Sequence, residues 1–191
     1  MVGNIPNFTK IDILRCFLRL NRNIGRKELS RELELGEGTM RTILDILKSK
    51  KLLDSTKKGH FLSSKGITAL NIVLECISAP KKVSMQNLYP KLKKAAIVIK
   101  NAANLSNLCK LRDLAVKHGA EGAIILKFEG RLYAPESDYV QDYREQERGF
   151  NLRNNDVVIV AFSDTCRNAE NGPLTVAVEL SGVVKNFINE I

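Results

Sequence analysis

Met40, Ile43, Leu44 and Leu47 stand at positions i, i+3, i+4 and i+7 of one short segment. Only a helix places all four on one face. The same segment turns Thr39, Arg41, Thr42, Asp45 and Ser49 away from that face. The preceding segment, Arg26–Leu33, carries Leu29 and Leu33 one turn apart, and Glu34-Leu35-Gly36-Glu37-Gly38 forms a tight turn between the two. Two helices this short have too little apolar surface to be stable alone, so they need a shared core.

The flanking sequence supplies it. Thr9 is a helix N-cap with Asp12 three residues on, as in a capping box. Ile13, Leu14, Phe17, Leu18 and Leu20 follow, interleaved with Arg15 and Arg19, which predicts an amphipathic helix with a basic outer face. Asn21–Gly25 ends it. After the third helix, Leu52–Ser55 and His60–Leu62 read as two short strands joined by Thr56-Lys57-Lys58-Gly59, with Gly59 suited to a positive-φ position. Ser63–Gly66 caps a fourth helix with the stripe Ile67, Leu70, Leu74 and Ile77, closed by Ala79-Pro80.

Charge follows the same division. The chain carries +9 at pH 7, and residues 1–82 hold 16 Lys+Arg against 8 Asp+Glu, leaving +1 for the remainder. Such asymmetry suggests a nucleic-acid-facing part joined to a neutral part. Apolar runs such as Val157–Phe162 fall far short of the roughly 20 residues of a membrane span. The first six residues lack the charged and apolar regions of a secretory signal, so a cytoplasmic location is expected. The four cysteines are scattered singly, and His60 and His118 are not at ligand spacing to them, so no metal and no cofactor is expected.

The stretches RKELSRELELGEGTMRTILDILKSKKLL (Arg26–Leu53) and GHFLSSKG (Gly59–Gly66) resemble the winged helix-turn-helix pattern. That pattern is a Leu-rich helix, a Gly-containing turn, a recognition helix, a K-K-L-L exit and an L-S/T-x-K-G re-entry after the wing. This part is also similar to the DNA-binding domain of the glycolytic-gene repressor family. The whole chain resembles small archaeal winged-helix proteins with an uncharacterised C-terminal α+β domain. In one place it departs: Gly36 stands at the recognition-helix N-cap, where Ser or Thr is usual.

The resemblance implies a helix seated in the major groove of double-stranded DNA. Arg41 is then the candidate for bidentate contact to guanine, with Thr39 and Thr42 beside it. Lys57, Lys58 and His60 are placed at the hairpin tip, against phosphates or the minor groove. Arg22, Arg26, Lys27 and Lys48 add backbone contacts, and the acidic Glu37 and Asp45 read cytosine or exclude wrong sequences.

The C-terminal part reads as strand Ala95–Ile99, a helix capped by Asn104 or Ser106 and stopped at Gly119, and strand Gly122–Phe128 turning at Glu129-Gly130 into Arg131–Ala134. Tyr139–Arg148 is a polar helix or irregular segment. Strands Val157–Phe162 and Leu174–Leu180 flank a polar loop, Ser163–Pro173, and Ser181 caps a last helix. Lys81–Asn87 is a polar connection. The expected fold is α+β in two domains: residues 1–80 a winged helix-turn-helix domain, residues 81–191 a two-layer α+β domain with a mainly antiparallel sheet. GxSxG, HExxH, P-loop and GxGxxG motifs are absent, so no catalytic residues are assigned and the chain is not read as an enzyme. Asp138, Asp142, Glu145 and Glu147, interspersed with arginines, read as a solvated face. The expected function is a sequence-specific DNA-binding transcriptional regulator. It acts as a homodimer whose interface draws on Leu18, Ile72 or Val73, with the C-terminal domain dimerising or taking a small-molecule effector. The alternative is an RNA-binding or translation-related module without catalytic activity.

Overall fold

The computed structural model describes residues 7–85, 88–102, 105–135, 137 and 141–191. It is α+β and divides into two compact units, residues 1–73 with 186–191, and residues 74–185.

The first unit runs α1 (Lys10–Arg19), α2 (Arg26–Glu32), α3 (Glu37–Ser49), β1 (Leu53–Thr56), β2 (Gly59–Leu62) and α4 (Ser64–Cys76, through Val73). Thr9 and Asp12 form the expected capping box. The expected basic outer face of α1 is corrected, because every residue from Ile11 to Leu18 is buried, Arg15 included. Arg15 is kept inside by two acceptors: Nη1 donates to Asp12 Oδ1 and to the Leu33 carbonyl that ends α2, each at 3.2 Å. Both partners of the ion pair are fully buried. Cys16, beside it, touches Met40 Sδ at 3.8 Å. Burial pushes its thiol up to about 12, so it packs as a small hydrophobe.

The last residues of the chain complete this core. Phe187 lies 4.7 Å from Phe17, centroid to centroid. Lys10 Nζ donates to the Ile188 carbonyl at 3.0 Å. Of the stripe expected for α4, Leu70 and Ile77 are buried and Leu74 is half-buried, Ile67 is half exposed, and Gly66 and Val73 are buried beside them. Of the three residues proposed for a dimer interface, Leu18 and Val73 are buried within the chain and Ile72 is exposed.

The second unit is a five-stranded sheet. Its strands are β3 (Lys81–Lys82), β4 (Lys93–Ile99), β5 (Gly122–Phe128), β6 (Leu132–Tyr133) and β7 (Val157–Ser163). They lie in the order β3-β4-β7-β5-β6, and every neighbouring pair is antiparallel. Central β7 is buried along its whole length. Helix α5 (Leu108–Lys117) connects β4 to β5, leaving the slot that β7 fills, a split strand-helix-strand arrangement. Of the two expected caps Asn104 lies outside the described residues, and the N-cap is Asn107, one residue past Ser106; Asn107 takes the left-handed conformation while its side chain accepts from Lys110 N. Lys81–Lys82, expected as mere connection, is an edge strand on β4.

The largest correction concerns Ser163–Leu180. In place of a loop and a strand there is one helix, α7 (Cys166–Leu180), capped by Thr165. Its β-branched residues read as a strand, and Pro173 as a stop. Burial overrides both signals, since residues Ala169 to Ala177 are all buried. A Cβ on Gly172 would stand 3.0 Å from Ala120 Cβ and 3.1 Å from Ala161 Cβ, so a larger residue would press the helix a few tenths of an ångström away from its neighbours. α5 and α7 cover one face of the sheet. The other is covered by Met85, Tyr143, Phe150 and their neighbours around Ala96, Val98, Val158 and Val160. The irregular stretch near Tyr143 contains one short helix, α6 (Arg144–Gly149), and Ser181 precedes α8 (Gly182–Glu190), as expected. Among the described residues no helix is long and apolar enough to cross a membrane.

Replacing Arg15 by Met removes the ion-pair partner of the buried Asp12 carboxylate, which keeps its bonds from Thr9. The expected loss is about 3–5 kcal/mol of stability, read by urea denaturation, and pairing it with Asp12→Asn recovers part of that loss.

Candidate nucleic-acid interface

The turn between α2 and α3 is held by Ser30. Its backbone carbonyl accepts from Leu35 N at 3.0 Å, and its hydroxyl donates to the Leu35 carbonyl at 2.5 Å. Gly36 is the N-cap of α3 and offers no side-chain cap. The helix starts at Glu37, so Glu37 and Gly38 lie in its first turn rather than in a preceding loop.

Along α3 the buried stripe is Met40, Ile43, Leu44 and Leu47, as the spacing predicts. Glu37, Arg41, Thr42, Asp45, Lys48 and Ser49 are exposed, and Thr39 is half-buried. Glu37, Arg41, Asp45 and Lys48 follow one another about a turn apart, so the outer face alternates in sign. Arg41 and Lys48 make no ion pair among the described residues. Glu37 is engaged: Arg26 Nη2 lies 3.4 Å from its Oε2, joining the first residue of α2 to the first of α3. A carboxylate already occupies the start of α3, which is where backbone N–H groups favour an anion. Arg26 Nε is buried with no hydrogen-bond partner.

The hairpin places Lys57 and Lys58 at its tip, exposed, between the closing pair Thr56 and Gly59. Gly59 has φ +136°, and a Cβ there would meet the Ile24 carbonyl oxygen at 2.8 Å. That close approach arises because Ile24 joins the hairpin as a third, single-residue rung: Ile24 N donates to His60 O at 3.0 Å and His60 N to Ile24 O at 2.9 Å. Sequence reasoning took Asn21–Gly25 only as a break. The available signal was Ile24, a lone apolar residue in a polar stretch.

His60 is corrected from tip to strand. It pairs with Ser55 in the register, is half-buried, and its Nδ1 lies 2.7 Å from Ser55 Oγ. Burial holds its pKa below the usual histidine value, with further lowering by Lys48 and Arg26 and an opposing pull from Asp45. The start of α2, the second half of α3 and β2 therefore converge electrostatically on one imidazole. Lys27 is exposed on α2. Arg22 is held by Glu28 at 2.9 Å and Glu32 at 2.6 Å.

In the sheet unit, Asp138 lies outside the described residues. Asp142 is taken by Arg144 at 2.6 Å, whose hydrogen bonds bring its carboxyl down to about 2. Glu147 accepts from Leu132 N. Among the described residues no three His, Cys, Asp or Glu side chains form a group able to hold a metal ion.

Residues 9–68 match the family model described as PH0730-like, N-terminal domain. Residues 89–180 match a domain of unknown function, DUF4443. A solved structure, hypothetical protein PH0730 from Pyrococcus horikoshii OT3, superposes with a TM-score of 0.79 at 30% identity, over 94% of this chain and 99% of that one. No curated protein matches the chain. The two domain matches and the full-length likeness have one conclusion: the chain belongs to the PH0730-like family.

Proposed function

We propose that the protein is a sequence-specific DNA-binding transcriptional regulator. In this reading the first unit is a winged helix-turn-helix, α3 is its recognition helix and the β1–β2 hairpin its wing. The observation that carries the reading is the exposed face of α3, where Arg41 and Lys48 stand without ion-pair partners among the described residues. The two exposed lysines of the hairpin tip support it. Arg41 reads a base edge, with Thr42 beside it. Lys48, Lys57, Lys58 and Lys27 meet phosphates. Two half-sites bound by a homodimer raise affinity beyond what one module provides. No catalytic role is proposed for the chain.

The two kinds of contact separate experimentally. Lys57→Ala with Lys58→Ala weakens binding to all duplexes and lowers the slope of log K against log salt by about 0.9 for each lost phosphate contact. Arg41→Ala costs about 1–3 kcal/mol on the preferred sequence and little elsewhere. Binding unchanged by both sets of substitutions overturns the placement of α3. Duplex RNA bound as well as duplex DNA at one salt concentration overturns the major-groove reading, because the A-form groove excludes a helix.

His60 adds a pH dependence of known sign. Without DNA it is held neutral by burial, Lys48 and Arg26. Its share of stability is therefore intact above the unfolded value of about 6.5 and is lost as pH falls toward its lower folded value. A phosphate brought beside Lys48 offsets that repulsion, raises the pKa of His60, and makes binding take up a proton. Affinity then increases as pH falls from 7.5 to 5.5, by up to about tenfold for each unit of difference between bound and free protein. In fluorescence-anisotropy titrations His60→Gln removes this increase.

A further inference from the structure

The sheet unit contains a cavity of about 670 Å³, within the range of small-molecule sites. Its origin is topological. β3 covers only two residues of β4, pairing Lys81 with Ala96 and Lys82 with Ala95. Past Val83, whose N–H donates to the Lys94 carbonyl at 3.2 Å, the chain leaves the edge of β4. The space between this departing segment and the first turns of α7 is the cavity. Val83, Met85, Pro90 and Leu92 give it an apolar wall, and Cys166 and Ala169 of α7 close it opposite.

The charges on its lining are unequal. Lys82, Lys93 and Lys94 face a single carboxylate, Glu170. Lys94 is only 8% exposed. Its Nζ donates to the carbonyls of Tyr89 at 2.8 Å and Leu92 at 3.0 Å. Carbonyls satisfy hydrogen-bonding capacity without cancelling charge, and Lys94 has no carboxylate partner among the described residues. Lys82 is exposed and makes no ion pair among them either. The first turn of α7 adds the positive end of a helix dipole on the opposite wall. An apolar chamber with an excess of positive charge complements an anion with an apolar body. A cation of the same shape would meet the charges of Lys82 and Lys94.

We propose that this cavity binds a small apolar carboxylate. The site is argued from the sheet unit alone and stands whether or not the protein binds DNA. Isothermal titration of the full chain with octanoate, octylamine and 1-octanol at pH 7.5 tests it. Octanoate is expected to bind saturably with one site per chain, and the amine and the alcohol at least roughly tenfold more weakly, since neither supplies the charge. Lys82→Ala is expected to weaken octanoate severalfold while leaving the thermal unfolding midpoint of the free protein unchanged. Leu92→Trp, which fills the chamber from a half-buried position, is expected to abolish binding. No saturable octanoate binding, equal binding of octylamine or octanol, or unchanged binding in either variant overturns the proposal. Should a variant fail to fold, the three titrations of the unaltered protein decide alone.

Discussion

The first unit is organised around a charge that has been taken out of water. Arg15 and Asp12 are both fully buried, one turn apart on α1. Desolvating two charges costs several kcal/mol per ion before any attraction is regained, so the pair persists only because its geometry is shared with other duties. Asp12 also accepts the Thr9 N–H that starts α1, and Arg15 also donates to the carbonyl that ends α2. One ion pair thereby fixes the beginning of one helix against the end of another. The turn after that carbonyl leads directly into α3, whose position the candidate interface depends on. A leucine at position 15 would fill the space but would leave the Leu33 carbonyl without this donor.

The sheet unit solves a different problem. A fully buried central strand needs cover on both faces, and β7 obtains it from two unlike sources. On one side lie two helices, packed tightly at Gly172. On the other lie a short helix and irregular chain, anchored by single contacts such as Gln146 Nε2 to the Ser84 carbonyl at 2.7 Å. The same irregular chain leaves the edge of β4 only partly paired, and that gap is the apolar chamber.

How far the sequence could be read follows from the range of the interactions that decide each element. Helices α2 and α3 and the hairpin were legible because capping, apolar spacing and a turn glycine are local signals. Gly59, chosen for positive φ, has it. Arg15 was illegible: on a helical wheel it joins Arg19 as an outer face, whereas Asp12 and a carbonyl 18 residues away hold it inside. The first member of the α4 stripe, Ile67, was misread because Ile67 and Gly66 are both compatible with helical spacing, and what packs on Gly66 is the Leu52 backbone. α7 was misread because Thr175, Val176 and Val178 favour strands locally while a neighbouring sheet rewards any apolar surface that fits. The candidate interface was visible as a set of exposed residues. Its joint electrostatics on His60 were not, since Arg26, Lys48 and His60 are scattered over 35 positions of sequence.

The alternation of charge on α3 bears on how a helix of this kind would discriminate. A uniformly basic face binds any duplex, since phosphates dominate affinity and carry no sequence information. Here Arg41 is flanked a turn away on either side by Glu37 and Asp45, and those carboxylates are repelled by phosphates. Placements that bring the backbone onto α3 are penalised. A placement that seats α3 deep in the groove moves both carboxylates toward base edges, where cytosine amino groups accept their company. In the proposed reading, attraction without discrimination would fall to the hairpin lysines and Lys48, and discrimination to one arginine spaced between two acids. The exclusion of wrong placements, rather than the strength of the right one, is what such a face contributes to specificity.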